Sequence, residues 1–293
     1  MRNWITNVVN HISATIGRNF SCQHQVRLGG GCINTAWRIS NEYSSFFVKL
    51  NTAAGLNMFA AEFEGLQTLN AAAAVRVPVP LCCGISEDQA YLVTEYLPLE
   101  GRIDYAKLGE QLAAMHCHYS DSFGWHRDNT LGTTPQANPT MSDWIQFWRQ
   151  HRLGHQLRLA ADNGYSGELQ TLGERLMIGF HRLFDGYRPP ASLLHGDLWS
   201  GNAGALPDGT PVIFDPAVYY GDRETDLAMT ELFGGFNPAF YSAYNAHAPL
   251  EPGYKVRKHF YNLYHILNHL NLFGGGYRRQ AEQTMHLLLA ELR

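Results

Sequence analysis

Charge is scarce in this chain. Lys, Arg, Asp and Glu together make up 16% of its 293 residues, and the balance is slightly acidic, with a formal net charge of −4. A protein that binds nucleic acid through bulk charge needs a basic face, so no nucleic-acid partner is expected. Cysteine is sparse and odd in number. The five (Cys22, Cys32, Cys82, Cys83 and Cys117) form no CxxC pair, which argues against a disulfide framework or a zinc ribbon. Long apolar runs are missing too. None approaches the roughly 20 residues that span a bilayer. The N-terminal stretch spreads Trp4, Ile5, Val8, Ile12 and Ile16 at helical spacing and lacks a continuous signal-peptide core. A cytoplasmic, reducing setting without a membrane partner is the expectation. What is plentiful is apolar material, at 45% of residues, which suits a globular chain long enough for two lobes.

Patterning divides those lobes. RLGGGCINTAWRI (27–39) and SSFFVKL (44–50) are two apolar segments joined through Ser40 and Asn41, the mark of a hairpin. MFAAEFEGLQTL (58–69) carries Met58, Phe59, Phe63, Leu66 and Leu69 at helical spacing. VRVPVPLCCGI (75–85) is an edge or connector because of its prolines, with the Cys82-Cys83 pair as apolar filler, and AYLVTEYL (90–97) is a strand. Beyond about residue 105 the pattern turns helical, over 106–118, 141–161, 169–184 and 255–273. The expected fold is therefore α+β. A small sheet-rich lobe with one helix covers residues 1–98, and a larger, mainly helical lobe covers 99–293.

The chemistry concentrates in LLHGDLWSGN (193–202) and NAGALPDGTPVIFDP (202–216). Two leucines end a strand, and polar residues follow as a loop. Asp208-Gly209 signals a hairpin that folds Asn202 back towards Asp215. An amide oxygen beside a carboxylate is a hard donor pair suited to magnesium. Asp197 precedes Asn202 by five residues, the spacing of the kinase catalytic loop H-R-D-x-x-x-x-N with its metal-binding aspartate beyond. Upstream, Gly29, Gly30 and Gly31 allow a backbone to approach phosphates closely. Lys49 ends an apolar strand as a phosphate-pairing lysine does, with Glu62 or Glu64 as its anion. Glu95, Tyr96 and Leu97 then offer backbone groups to adenine. His265 and His269 stand at i, i+4 but lack the glutamate and third ligand of a zinc site, so core or groove roles are expected.

HGDLWSGN, IFDPAVYYGDRETDLAM (213–229), ELFGGF (231–236), FFVKL, MFAAEFEGL and VRVPVP together resemble the fructosamine kinase (ketosamine 3-kinase) family along the whole chain. That family lies within the aminoglycoside phosphotransferase and protein-kinase-like superfamily. The resemblance implies a bilobal protein-kinase-like fold with ATP in the cleft. ATP and Mg2+ would serve to phosphorylate the O3 hydroxyl of a sugar held as a ketosamine, free or protein-linked, releasing the amine afterwards. It implies Asp197 as catalytic base, Asn202 and Asp215 as metal ligands, and Lys49 on phosphate. It favours Glu62 over Glu64, and makes Asp226 the carboxylate that buttresses the catalytic loop. His195 is expected to support the metal hairpin, and Trp199 to stack on the sugar rather than fill core. Cys32, in the glycine loop, is a candidate redox thiol. The loop reads GGGCIN in place of GxGxxG, and D-P-A replaces D-F-G, so a protein-kinase-like switch is not implied. A monomer or weak homodimer is expected. Two other readings stay open at this point. One is a kinase of another small substrate (an aminoglycoside, choline or a different sugar), and the other is a nucleotide-binding regulatory module without catalysis.

Overall fold

The computed structural model describes residues 4–29 and 33–292. Gly30, Gly31 and Cys32 lie outside the described residues. Contacts divide the chain into two compact units: Met1–Asp104 with Asn202–Ala217, and Tyr105–Gly201 with Val218–Arg293.

The first unit begins with α1 (Trp4–Ile16), β1 (His24–Leu28), β2 (Thr35–Ser40), β3 (Ser45–Thr52), α2 (Leu56–Ala72), β4 (Pro80–Ser86) and β5 (Gln89–Glu95). The strands form one antiparallel sheet in the order β1-β2-β3-β5-β4. Period-2 alternation gives β3 two working faces. Phe46, Val48 and Leu50 join Trp37, Ile39, Tyr91 and Val93 beneath Trp4, Ile5, Val8 and Ile12 of α1. Lys49 falls on the opposite face, paired in register with Leu92, which packs with Ala90 against Phe59 of α2. Cys82 is buried in the first cluster, and burial pushes its thiol up to about 12, so it acts as filler.

The second unit opens with α3 (Tyr105–His116), then β6 (Tyr119–Ser120) and a short hairpin of β7 (Asn129–Leu131) and β8 (Thr134–Gln136). The helix expected over 141–161 is broken in two. α4 (Trp144–Trp148), capped by Asp143 at the Gln146 N–H, passes through a π-helical turn at Arg149–Leu153 into α5 (Gly154–Asp162). α6 (Glu168–Gly179) ends in a 3-10 turn, and β9 (Ala191–Leu194) follows. The chain then enters the first unit as a hairpin, β10 (Ala203–Ala205) and β11 (Pro211–Ile213). It returns as β12 (Tyr219–Gly221), α7 (Glu224–Leu232), α8 (Pro238–His247), α9 (Tyr254–Phe273) and α10 (Gly276–Glu291). β9 is the middle strand of the sheet β12-β9-β6 and is buried along its length.

The hairpin is part of the sheet unit for a local reason. Gly101 donates to the Ala205 carbonyl at 3.0 Å, and a Cβ on Gly101 would lie 1.8 Å from the Leu206 carbonyl oxygen. Ile213 donates to the Arg76 carbonyl at 3.0 Å. The segment after β5 therefore stays with the first unit as far as Asp104. The α+β class read from the sequence is the one observed, a small antiparallel sheet unit and a mainly helical one. Among the described residues, no helix is long and apolar enough to cross a membrane.

One buried group sets an acid limit on stability. His265 of α9 is 4% exposed, its Nδ1 has no hydrogen-bond partner, and burial lowers its pKa to about 3. The unfolded chain takes that proton more readily. The contribution is therefore full above the ordinary value near 6.5 and is lost as pH falls towards 3, by about 1.4 kcal/mol per unit. Denaturation midpoints of His265→Gln should fall less steeply between pH 6 and pH 4 than those of the parent. Parallel slopes would show that His265 is protonated without cost.

Candidate active site

In the first unit the strand, the helix and the hairpin each deliver one charged group. α2 places Phe59, Leu66 and Leu69 on its buried stripe. Glu62 stands three residues after Phe59 and four before Leu66, so it shares that stripe, whereas Glu64 is turned well away from it. A carboxylate there must be paired. Glu62 Oε1 accepts from Lys49 Nζ at 2.6 Å, which resolves the choice between the two glutamates at the level of contact. The same ammonium donates to Asp215 Oδ1 at 2.8 Å. Burial alone would favour losing the lysine's proton, but Asp215 and Glu62 outweigh it and hold the pKa above its ordinary value. For Glu62, burial dominates. It pushes the carboxyl up to about 6 against the pull of Lys49, with the Asp215 charge adding to the rise.

Asp215 occupies an unusual backbone position. Its φ is 58°, a left-handed conformation, and Pro216 follows it. Such a residue costs on the order of 1–3 kcal/mol and is retained where its surroundings require it. Here the twist follows directly on β11 and brings the carboxylate to Lys49. The side chain is 46% exposed against 8% for the lysine, so the pair has one buried partner and one open one. Asn202 enters the other arm of the hairpin. Its carbonyl accepts from the Phe214 N–H at 3.0 Å, one rung before Asp215. Asp208 and Gly209 (φ 86°) make the turn, with Asp208 Oδ1 accepting from the Thr210 N–H at 2.9 Å.

These residues fit magnesium by their chemistry. A carboxylate and an amide oxygen on adjacent rungs are hard donors, and no group of three His, Cys, Asp or Glu among the described residues offers a softer or fuller set. Such an ion would take its remaining ligands from phosphate and water. At the strand end expected to bind adenine, Glu95 N–H is already given to the Val79 carbonyl and Tyr96 N–H to the Ser45 carbonyl. Of the three residues named from the sequence, Leu97 is the one whose N–H remains for a base. Gly29 is exposed. Just after the glycine loop, Asn34 Oδ1 accepts from Asn51 Nδ2 at 2.7 Å, tying the loop's end to β3.

The second unit holds Asp197, directly after β9. The loop that carries it is suspended from Asp226, in the first turn of α7 and 1% exposed. Asp226 Oδ2 accepts from the His195 N–H at 2.7 Å, and Oδ1 from the Gly196 N–H at 2.8 Å. His116, the last residue of α3, adds Nε2 at 3.2 Å to Oδ2. Burial would raise the Asp226 pKa, but the hydrogen bond from His116 and the backbone donors overcome it and hold the group ionised, below its usual range. His195 is fully buried, and its Nδ1 accepts from the Asp197 N–H at 3.3 Å. This bond makes His195 part of the loop's own support. Gly196 takes φ 83°, the turn that only glycine adopts at little cost.

Trp199 is 36% exposed. Its indole lies edge-on to Phe233, with ring centroids 6.1 Å apart, and covers Gly201, where a Cβ would meet the ring at 2.3 Å. Ser200 Oγ donates to the Phe233 carbonyl at 3.2 Å, so loop and aromatic wall are joined twice. The indole is thus a half-open platform on a fixed loop. On α9, His269 Nδ1 donates to the His265 carbonyl at 2.9 Å, and its ring packs on Phe233 at 4.7 Å, in keeping with the groove role. Sequence reasoning missed His116: a histidine ending an amphipathic helix carries no local signal of what it meets.

Comparison with known proteins follows the geometry. A Synechocystis protein named as a ketoamine kinase is 47% identical over 288 residues, covering 96% of this chain and 95% of that one. A chloroplastic protein-ribulosamine 3-kinase of Arabidopsis thaliana is 43% identical over 258 residues, covering 87% and 79%. The crystal structure of a Haemophilus somnus protein assigned as a fructosamine-3-kinase superposes with a TM-score of 0.90 at 28% identity, covering 98% of each chain. The fructosamine kinase family profile matches residues 4–291, and the chain belongs to that family.

Proposed function

We propose that this chain is an ATP- and Mg2+-dependent ketosamine 3-kinase and that its site residues divide the work as follows. Lys49 binds phosphate oxygens of the nucleotide, and Glu62 holds the ammonium in place from the buried side. Asn202 and Asp215 would hold magnesium, which supplies charge neutralisation on the phosphates when bound. The Leu97 N–H takes adenine. Asp197 accepts the proton of the sugar's O3 hydroxyl as that oxygen attacks phosphorus, and Trp199 supports the sugar ring. The observation that carries this reading is the paired arrangement in the first unit, where one buried ammonium is shared by a helix carboxylate and a hairpin carboxylate. It agrees with the relatives, which are named as ketoamine and ribulosamine kinases. Phosphoryl transfer asks the protein chiefly for positioning and charge, and these are the groups that supply them.

The acceptor is tested by ATP turnover on a ketosamine beside free fructose, choline and an aminoglycoside. Turnover on the ketosamine alone is expected, and preference for any of the others would replace the substrate in this reading. Asp197→Asn should lower kcat by 10²- to 10⁴-fold with ATP affinity unchanged, measured by calorimetry or nucleotide fluorescence. Parental turnover in that variant would remove Asp197 as base. Glu62→Gln, which leaves Lys49 with one carboxylate, should raise the KM for ATP by roughly tenfold while leaving the ketosamine KM within twofold. An effect on the ketosamine KM alone would contradict the assignment of Glu62 to the nucleotide side.

A further inference from the structure

The carboxylate that suspends the Asp197 loop is itself the end of a longer buried line. His116 Nε2 stands 3.2 Å from Asp226 Oδ2, and its other nitrogen, Nδ1, is 2.8 Å from the Tyr244 hydroxyl on α8. Arg223, just before α7, donates Nη1 to that same hydroxyl oxygen at 3.2 Å and to the Ala248 carbonyl at 2.8 Å, while Nη2 donates to the Pro249 carbonyl. The helices can meet this closely because α3 carries Gly109, where a Cβ would lie 2.3 Å from the Phe240 carbonyl oxygen of α8.

Donor and acceptor rules give the line one direction. A guanidinium can only donate, so the Tyr244 oxygen accepts from Arg223 and its own O–H is free to point at His116. Nδ1 of His116 is then the acceptor, and the ring proton stands on Nε2. An ionised Asp226 can only accept, and Nε2–H is what it needs. The opposite tautomer would set a ring lone pair against the carboxylate. Asp226 would then hold the His195 and Gly196 amides while facing an uncompensated repulsion between two side chains that are each only 1% exposed.

We propose that Tyr244, oriented by Arg223, is a positioning residue for the loop that carries Asp197. It acts by fixing the His116 tautomer, so that Asp226 keeps both amides that precede the base. The inference rests on the reading of Asp197 given above. Tyr244 belongs to no motif of that site, and its effect passes to the loop through three successive hydrogen bonds.

A double-mutant cycle tests this. Tyr244→Phe keeps the ring and removes the O–H. In the parent it should lower kcat roughly five- to tenfold, with the KM for ATP and for ketosamine each within twofold. His116→Gln replaces the imidazole with an amide whose N–H2 donates to Asp226 without any choice of tautomer. In that background Tyr244→Phe should change kcat by less than about twofold. Hydrogen exchange at the His195 and Gly196 amides should quicken on Tyr244→Phe in the parent and not in the His116→Gln background. An equal loss of kcat in both backgrounds would make the hydroxyl a packing element and overturn the proposal. So would an unchanged kcat, or a loss confined to KM. Should His116→Gln not fold, exchange in Tyr244→Phe alone decides: faster exchange at the two amides supports the proposal and unchanged exchange ends it. A parent inactive on ketosamines would sink the functional reading instead, while the exchange comparison still judged the tautomer.

Discussion

The shared proton-rich contact at Lys49 organises the first unit. Its ammonium is buried in the middle of an antiparallel sheet, an environment that opposes charge, and only two carboxylates within 3 Å keep it ionised. Each carboxylate comes from a different element. Glu62 comes from the helix covering that face of the sheet, and Asp215 from a hairpin more than 150 residues further along the chain. Neither element could shift far without leaving a charge unpaired in a low dielectric. Helix, strand and hairpin are therefore held in mutual register by electrostatics as well as by apolar contact. The left-handed backbone at Asp215 is tolerated for that reason. The result is a buried cation with a half-exposed carboxylate beside it, the pair to which the proposed reading assigns phosphate and metal.

The second unit solves a different problem with the same economy of means. A loop that must present one carboxylate cannot rely on its own conformational preferences, since loops are the mobile parts of a fold. Here two successive amides are fastened to one buried aspartate, a third donor comes from a histidine at the end of another helix, and the loop's own histidine accepts from the Asp197 amide. Trp199 is held separately, packed over Gly201 and edge-on to the Phe233 ring, while the neighbouring Ser200 donates to the Phe233 carbonyl. The unit thereby separates a tightly bonded backbone around 195–197 from the half-open indole of Trp199.

Much of this could be read in advance where the signal is local. The β2–β3 hairpin, α2, the strand ending at Glu95 and the Asp208-Gly209 turn all follow from apolar period and turn chemistry within a dozen residues. Lys49 and Asp215 were legible from their places in strand and hairpin, and family resemblance added Asp226. Three helices of the second unit, α7, α8 and α10, went unread. Their sequences mix aromatic and polar residues without a clean stripe, and α7 is buried almost all round, so no face stands out. The π-helical break in the 141–161 segment was likewise invisible, because the apolar spacing runs through it.

The sequence by itself determined which residue types were available for chemistry and the short-range geometry that carries them. It supplied a lysine in a β-strand, a carboxylate and an amide at two arms of one turn, and an aspartate at a strand's end. Only the tertiary structure decided partnerships across long separations. It chose Glu62 over Glu64, assigned residues 202–217 to the sheet unit, fastened His195 to the Asp197 amide, and joined His116 to Asp226 and Tyr244. The physical reason is that spacing along a chain records local periodicity. Which buried donor must meet which buried acceptor depends on how much water each loses, and that is set only when distant elements pack together.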